Sequence, residues 1–164
     1  MDFYAILDIL DSEHQANRKG KKTVMAEMTR KEAREAVFQL LFETEFRADE
    51  DPREIYAISE ENRELCANEY LKESYFGVLE HREAIDEMIV RHSNGWKPSR
   101  ISPVSRCVIR LCIYEMCYRE DIPRAVSLNE AVELVKKYDE EKMRPFVNGL
   151  LNGVKNELEA AGKA

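Results

Sequence analysis

The sequence predicts an all-α protein, a single compact bundle of about seven helices, and three observations carry that expectation. Only 6 Gly and 5 Pro occur among 164 residues, so long helices are favoured over turn-punctuated strands. Helix start signals recur along the chain, and between them the apolar residues repeat at helical spacing. With 44% hydrophobic and 35% charged residues, the composition fits one soluble domain that buries its own core.

Residues 1–28 read as an N-terminal extension. Phe3, Tyr4, Ile6, Leu7, Ile9 and Leu10 suit an amphipathic turn or two, and a polar, basic stretch follows through Gly20, so poor order is expected there. The domain proper is expected over residues 29–160. Thr29 and Glu32 form a capping box, which satisfies two backbone N–H groups reciprocally and predicts a helix from Arg30 to about Arg47. Asp51, Pro52 and Glu54 signal a second, short helix, with proline where its missing donor costs nothing. From about Glu60 to His92 the apolar positions Leu65, Leu71, Val78, Leu79, Ile85, Met88 and Ile89 predict two helices, with Gly77 a bend or a close-packing point.

Asn94 to Pro98 breaks the pattern, and Ser102 with Pro103 restarts it as cap and first residue of a helix reaching about Arg119. Apolar residues cover most of that helix's circumference, leaving Arg106 and Arg110 as a polar strip, so it is expected to run through the core. Ser127 and Glu130 form a second capping box, predicting a helix that starts there. The last helix is expected to begin at Pro145, because a residue before proline is pushed out of the α region. Its inward stripe is Val147, Leu150, Leu151, Val154 and Leu158. Asn148 and Gly149 signal a turn, but the apolar periodicity continues through them and is preferred.

The formal net charge is -7, and it is unevenly spread. Arg18 to Arg34 carries a local balance of +5, whereas Glu43 to Glu73 carries -7. The first segment attracts phosphate and the second repels it, although charge runs are commonly no more than solvated surfaces. No run approaches 18 consecutive apolar residues, so no membrane span is expected. No basic region followed by an apolar one opens the chain, so a cytoplasmic location is expected.

No phosphate-cradling glycine loop, nucleophile elbow or paired-histidine metal motif appears, so neither an enzyme nor a cofactor is expected. Cys107, Cys112 and Cys117 repeat every fifth residue, turning about 140° each time. They therefore converge on no metal, and together with Cys66 they read as buried reduced thiols.

Binding is better supported. Arg30 and Lys31 sit at the start of the first long helix, where free N–H groups also favour anions. Arg34 falls on the inward arc with Ala33, Val37, Phe38 and Leu41, and Glu115 falls inward on its own helix. An internal Arg34–Glu115 ion pair therefore competes with an RNA role for Arg34. Phe146 lies about 100° off the stripe of the last helix, flanked by Lys142 and Arg144. Such a ring suits base stacking beside a phosphate site, and it equally suits plugging one end of the core.

The residues Val108 to Leu111, Tyr114 to Met116, Ile122, Pro123, Leu128 to Lys136 and Phe146 to Leu151, with Arg30 to Phe42, resemble the NusB family of transcription antitermination factors. The resemblance spans about residues 28–158. It implies a bundle of about seven helices that binds boxA-type single-stranded RNA together with the ribosomal protein NusE. Such a bundle works in the RNA polymerase antitermination complex, promoting read-through in ribosomal RNA operons, without catalysis, metal or cofactor. Some members pair as homodimers. The resemblance assigns RNA contacts to the arginine-rich N-terminal positions Arg30, Lys31 and Arg34, and places Phe146 near the RNA. Two departures stand out: members begin near the position of Met28, and Pro145 before Phe146 is unusual. The competing reading is a helical protein–protein adaptor with an acidic docking face and only incidental RNA contact.

Overall fold

The computed structural model describes Asp8, residues 28–63 and residues 68–162. Among these there are seven α-helices, one 3-10 turn and no strand. They fall into two compact units that divide between Leu71 and Lys72. The extension expected over residues 1–28 lies, apart from Asp8 and Met28, outside the described residues, as does Cys66.

The first unit holds α1 (Arg30–Phe46), α2 (Pro52–Arg63) and the first residues of α3 (Glu69–Glu80). The Thr29 capping box forms. The Thr29 N–H donates to Glu32 Oε2 at 2.8 Å and the Glu32 N–H donates to Thr29 Oγ1 at 3.2 Å. Helical periodicity then places Ala33, Val37, Phe38, Leu40, Leu41 and Phe42 in the buried set. Phe38, Phe42 and Phe46 follow one another at four-residue spacing, which brings their ring centroids to 6.2 and 4.8 Å. Arg47 closes the helix by bridging Glu43 and Glu50, and Pro52 opens α2. A cap that the sequence reading lacked starts α3: Asn68 Oδ1 accepts the Leu71 N–H at 3.0 Å.

In the second unit the rest of α3 is followed by α4 (Arg82–His92), a 3-10 turn (Pro98–Arg100), α5 (Pro103–Tyr118), α6 (Arg124–Tyr138) and α7 (Met143–Ala160). The break between α3 and α4 falls at His81, so Gly77 is no bend but a point of close packing inside α3. Twelve of the 16 residues of α5 are buried, and α4, α6 and α7 pack around it. Arg110, expected on a polar strip, is only 6% exposed. It donates through Nε and Nη2 to the two Asp86 carboxylate oxygens at 2.8 and 3.0 Å. That paired geometry keeps its charge compensated inside the packing.

Two helix starts differ from expectation. The Ser127 capping box does not form, because α6 already begins at Arg124, with Pro123 in the cap position. The Pro123 carbonyl accepts the N–H groups of Val126 and Ser127, so Ser127 has no orphan donor to cap and lies inside the helix, buried. Helix α7 begins at Met143, two residues before Pro145. Proline there occupies the third helical position, where an N–H has no intrahelical partner, so it costs the helix no hydrogen bond. Asn148 and Gly149 are helical, as the periodicity required, and Val147, Leu150, Leu151, Val154 and Leu158 are all buried.

Candidate nucleic-acid interface

In the first unit, Arg30 and Lys31 project from the start of α1 and are exposed. The capping box already engages two backbone N–H groups of that helix end, so the side-chain cations rather than the amides offer charge to a phosphate. Arg30 lies over the ring of Tyr70, with its guanidinium carbon 4.3 Å from the centroid, and Arg34 approaches the same ring at 5.9 Å. Tyr70 thus serves as a cation–π base for both arginines. Arg34 itself is 4% exposed, and Glu115 on α5 is fully buried. Tyr70 was missed by sequence reasoning, because a contact between residues 30 and 70 leaves no trace in local periodicity.

In the second unit, Lys142, Arg144 and Phe146 gather at the start of α7. The turn that leads into it is fixed by Asp139, whose carboxylate accepts hydrogen bonds from Ser105 at 2.6 Å and from Ser102. Lys142 pairs with Glu140 and Arg144 with Glu141, each at 2.9 Å, so both cations have acidic neighbours that the sequence reading did not weigh. Phe146 is half-buried, and the indole of Trp96 lies 6.4 Å from it, tilted by 45°. Trp96 is the chain's one tryptophan and is 57% exposed. In the sequence it counts only among the residues that break the helical pattern, although a tryptophan amid turn-forming residues was a usable signal for a binding ring.

The same unit holds an open cavity of about 610 Å³ lined by Glu73, Glu80, His81, Tyr114, Tyr118, Arg119 and Asp121 among others. His81 stacks on Tyr118 with centroids 3.9 Å apart, and Arg119 bridges Glu73 and Asp121 at 2.6 and 3.0 Å. With three carboxylates to one guanidinium, this cavity repels phosphate and suits a cationic group. Among the described cysteines, Cys107 and Cys112 are buried thiols and Cys117 is a half-buried thiol whose sulfur lies 3.8 Å from that of Met88. Among the described residues no helix is long and apolar enough to cross a membrane.

Residues 31–156 match the NusB family model. The chain belongs to the NusB family. It is 44% identical over 131 residues to the transcription antitermination protein NusB of Bacillus pumilus, covering 80% of this chain and 98% of that relative. It is 41% identical over 132 residues to the NusB of Bacillus subtilis, covering 80% and 98%. Among solved structures, T. maritima NusB superposes with a TM-score of 0.70 at 35% identity, covering 80% of this chain and 94% of that one. A complex of antitermination factors NusB and NusE with dsRNA contains a chain matching at a TM-score of 0.70 and 30% identity, covering 78% and 96%. The all-helical NusB fold is therefore that expected from the sequence.

Proposed function

We propose that this protein is a cytoplasmic, non-catalytic transcription antitermination factor that binds boxA-type single-stranded RNA together with the ribosomal protein NusE. In this role it joins the RNA polymerase antitermination complex and promotes read-through in ribosomal RNA operons. The observation that carries the reading is the match, over 78% of this chain and 96% of that one, to a complex of antitermination factors NusB and NusE with dsRNA. The residues support it in both units. Arg30 and Lys31 supply exposed charge for phosphate, whereas Arg34, expected from the resemblance to touch RNA, is 4% exposed beside the Tyr70 ring and offers little surface to a phosphate. Phe146 supplies a stacking face, with Lys142 and Arg144 beside it.

A second reading, a helical adaptor whose acidic face docks a protein, draws support from the carboxylate-lined cavity of the second unit. A competition shift assay separates the two. Labelled boxA-like RNA is challenged with unlabelled boxA-like or scrambled RNA, with and without NusE. The antitermination reading expects preferential displacement by boxA-like competitor and tighter binding with NusE. Equal displacement by both competitors, with no effect of NusE, favours the adaptor.

A further inference from the structure

Trp96 is held out of the core by a loop that is fixed at both ends. The Trp96 N–H donates to the Ser93 carbonyl at 3.1 Å, and the buried Ser93 hydroxyl donates back to the Trp96 carbonyl at 2.7 Å. Between them Asn94 and Gly95 take φ of 55° and 80°, the left-handed conformations that a tight reversal needs and that these two residue types tolerate. Beyond the indole, Arg106 Nη1 donates to the carbonyls of Pro98 and Ile101 at 3.1 and 3.0 Å. The backbone carrying Trp96 is therefore ordered, while its side chain is the most exposed large apolar group among the described residues.

The neighbourhood is cationic. Lys97 and Arg100 are exposed, and neither makes an ion pair among the described residues. A large ring beside uncompensated cations has the composition of a single-strand platform, where bases stack on aromatic faces and the backbone follows the positive charge. The 45° tilt between Trp96 and Phe146 means that one planar base lies flat against only one of the two rings. Two rings 6.4 Å apart instead offer faces to two bases.

We infer that Trp96 is a second base-stacking seat beside Phe146, so that the two rings hold two neighbouring unpaired bases while Lys97 and Arg100 face the adjoining phosphates. The inference rests on the RNA-binding reading above and adds to it a residue and a requirement for unpaired bases at this point. A duplex keeps its base faces stacked on one another and offers none to the indole.

The single tryptophan makes the test direct. A short unpaired boxA-like oligoribonucleotide is titrated into the full chain, and binding is followed by anisotropy of a label on the RNA and by indole emission in parallel. The same sequence annealed to its complement serves as the duplex probe. The inference expects indole quenching that saturates together with the anisotropy for the unpaired probe and is absent for the duplex. It also expects Trp96→Ala to weaken binding by about five- to 150-fold, the worth of one base stack. Trp96→Phe should recover part of that loss, with unchanged circular dichroism in both variants. Full anisotropy binding with unchanged indole emission, equal quenching by duplex, or wild-type affinity in Trp96→Ala overturns the stacking seat and leaves the RNA-binding reading standing. No binding by anisotropy, with NusE added as well as without it, overturns both.

Discussion

Gly77 on α3 lies so close to Tyr114 on α5 that a β-carbon built on it falls 2.4 Å from the phenol ring. The ring has little room to yield, because Tyr114 is buried and its hydroxyl donates to the Glu73 carbonyl at 3.3 Å. Glycine is required here by contact rather than by backbone conformation. Gly77→Ala is expected to destabilise the protein by about 1–3 kcal/mol, the usual cost of overpacking, read as a lower urea midpoint with unchanged slope.

The failed capping box at Ser127 makes a prediction of opposite sign to the one its sequence suggests. A capping serine replaced by alanine costs about 1 kcal/mol. The Ser127 hydroxyl, however, is buried with no hydrogen-bond partner among the described residues. Removing an unsatisfied hydroxyl from a helix interior is neutral or stabilising, so Ser127→Ala is expected to hold or raise the melting temperature. A clear fall would restore the capping role.

These two cases show what could be read from one sequence. The Thr29 box was legible because everything that decides it lies within four residues. The Ser127 box has the same letters, but Pro123 upstream starts the helix first, and a pattern read in a short window does not see that competition. The inward positions of Arg34 and Glu115 followed from the helical wheel, and both are buried. The burial of Arg110 was not legible, since its partner Asp86 sits 24 residues away on another helix. Among the candidate interface residues, Phe146 stood out by being off its stripe. Tyr70 emerges only when distant parts of its unit are folded together, whereas Trp96, a tryptophan amid turn-forming residues, was legible in the sequence and only its pairing with the Phe146 ring was not.

Arg110 and Asp86 can be tested as a pair. Asp86→Ala removes the bidentate acceptor from a guanidinium that is almost wholly buried, and is expected to cost about 1.5–3 kcal/mol, the range for hydrogen bonds to charged groups. Chemical denaturation of this variant, of Arg110→Met and of the double variant forms a cycle. The double variant should lose less than the sum of the two single losses.

The junction of α4 and α7 carries a pH dependence. Arg91 Nη2 and His92 Nε2 meet the Glu157 carboxylate at 3.0 and 2.8 Å. The hydrogen bond from His92 is the largest effect holding the Glu157 carboxyl below its ordinary value; burial opposes it, and the hydrogen bond and charge of Arg91 add smaller lowering effects. A depressed carboxylate contributes stability that is present above its unfolded pKa and is lost as pH falls through the folded value. Glu157→Gln is therefore expected to flatten the acid limb of stability against pH while leaving the neutral-to-alkaline limb parallel to wild type. The cluster is largely solvent-exposed, so the difference should stay within about 1 kcal/mol. Thermal melts across the acid range would show it, and an unchanged acid limb would remove Glu157 from this role.

In the proposed function, exposed cations at the start of α1 hold an unpaired RNA strand by its phosphates. The most direct measurement is the slope of log affinity against log salt for boxA-like RNA, in wild type and in the Arg30→Ala, Lys31→Ala double variant. Each lost phosphate contact on a single strand removes about 0.7 from the slope, so the double variant should be shallower by about 1.4. Parallel slopes for the two proteins would contradict the account.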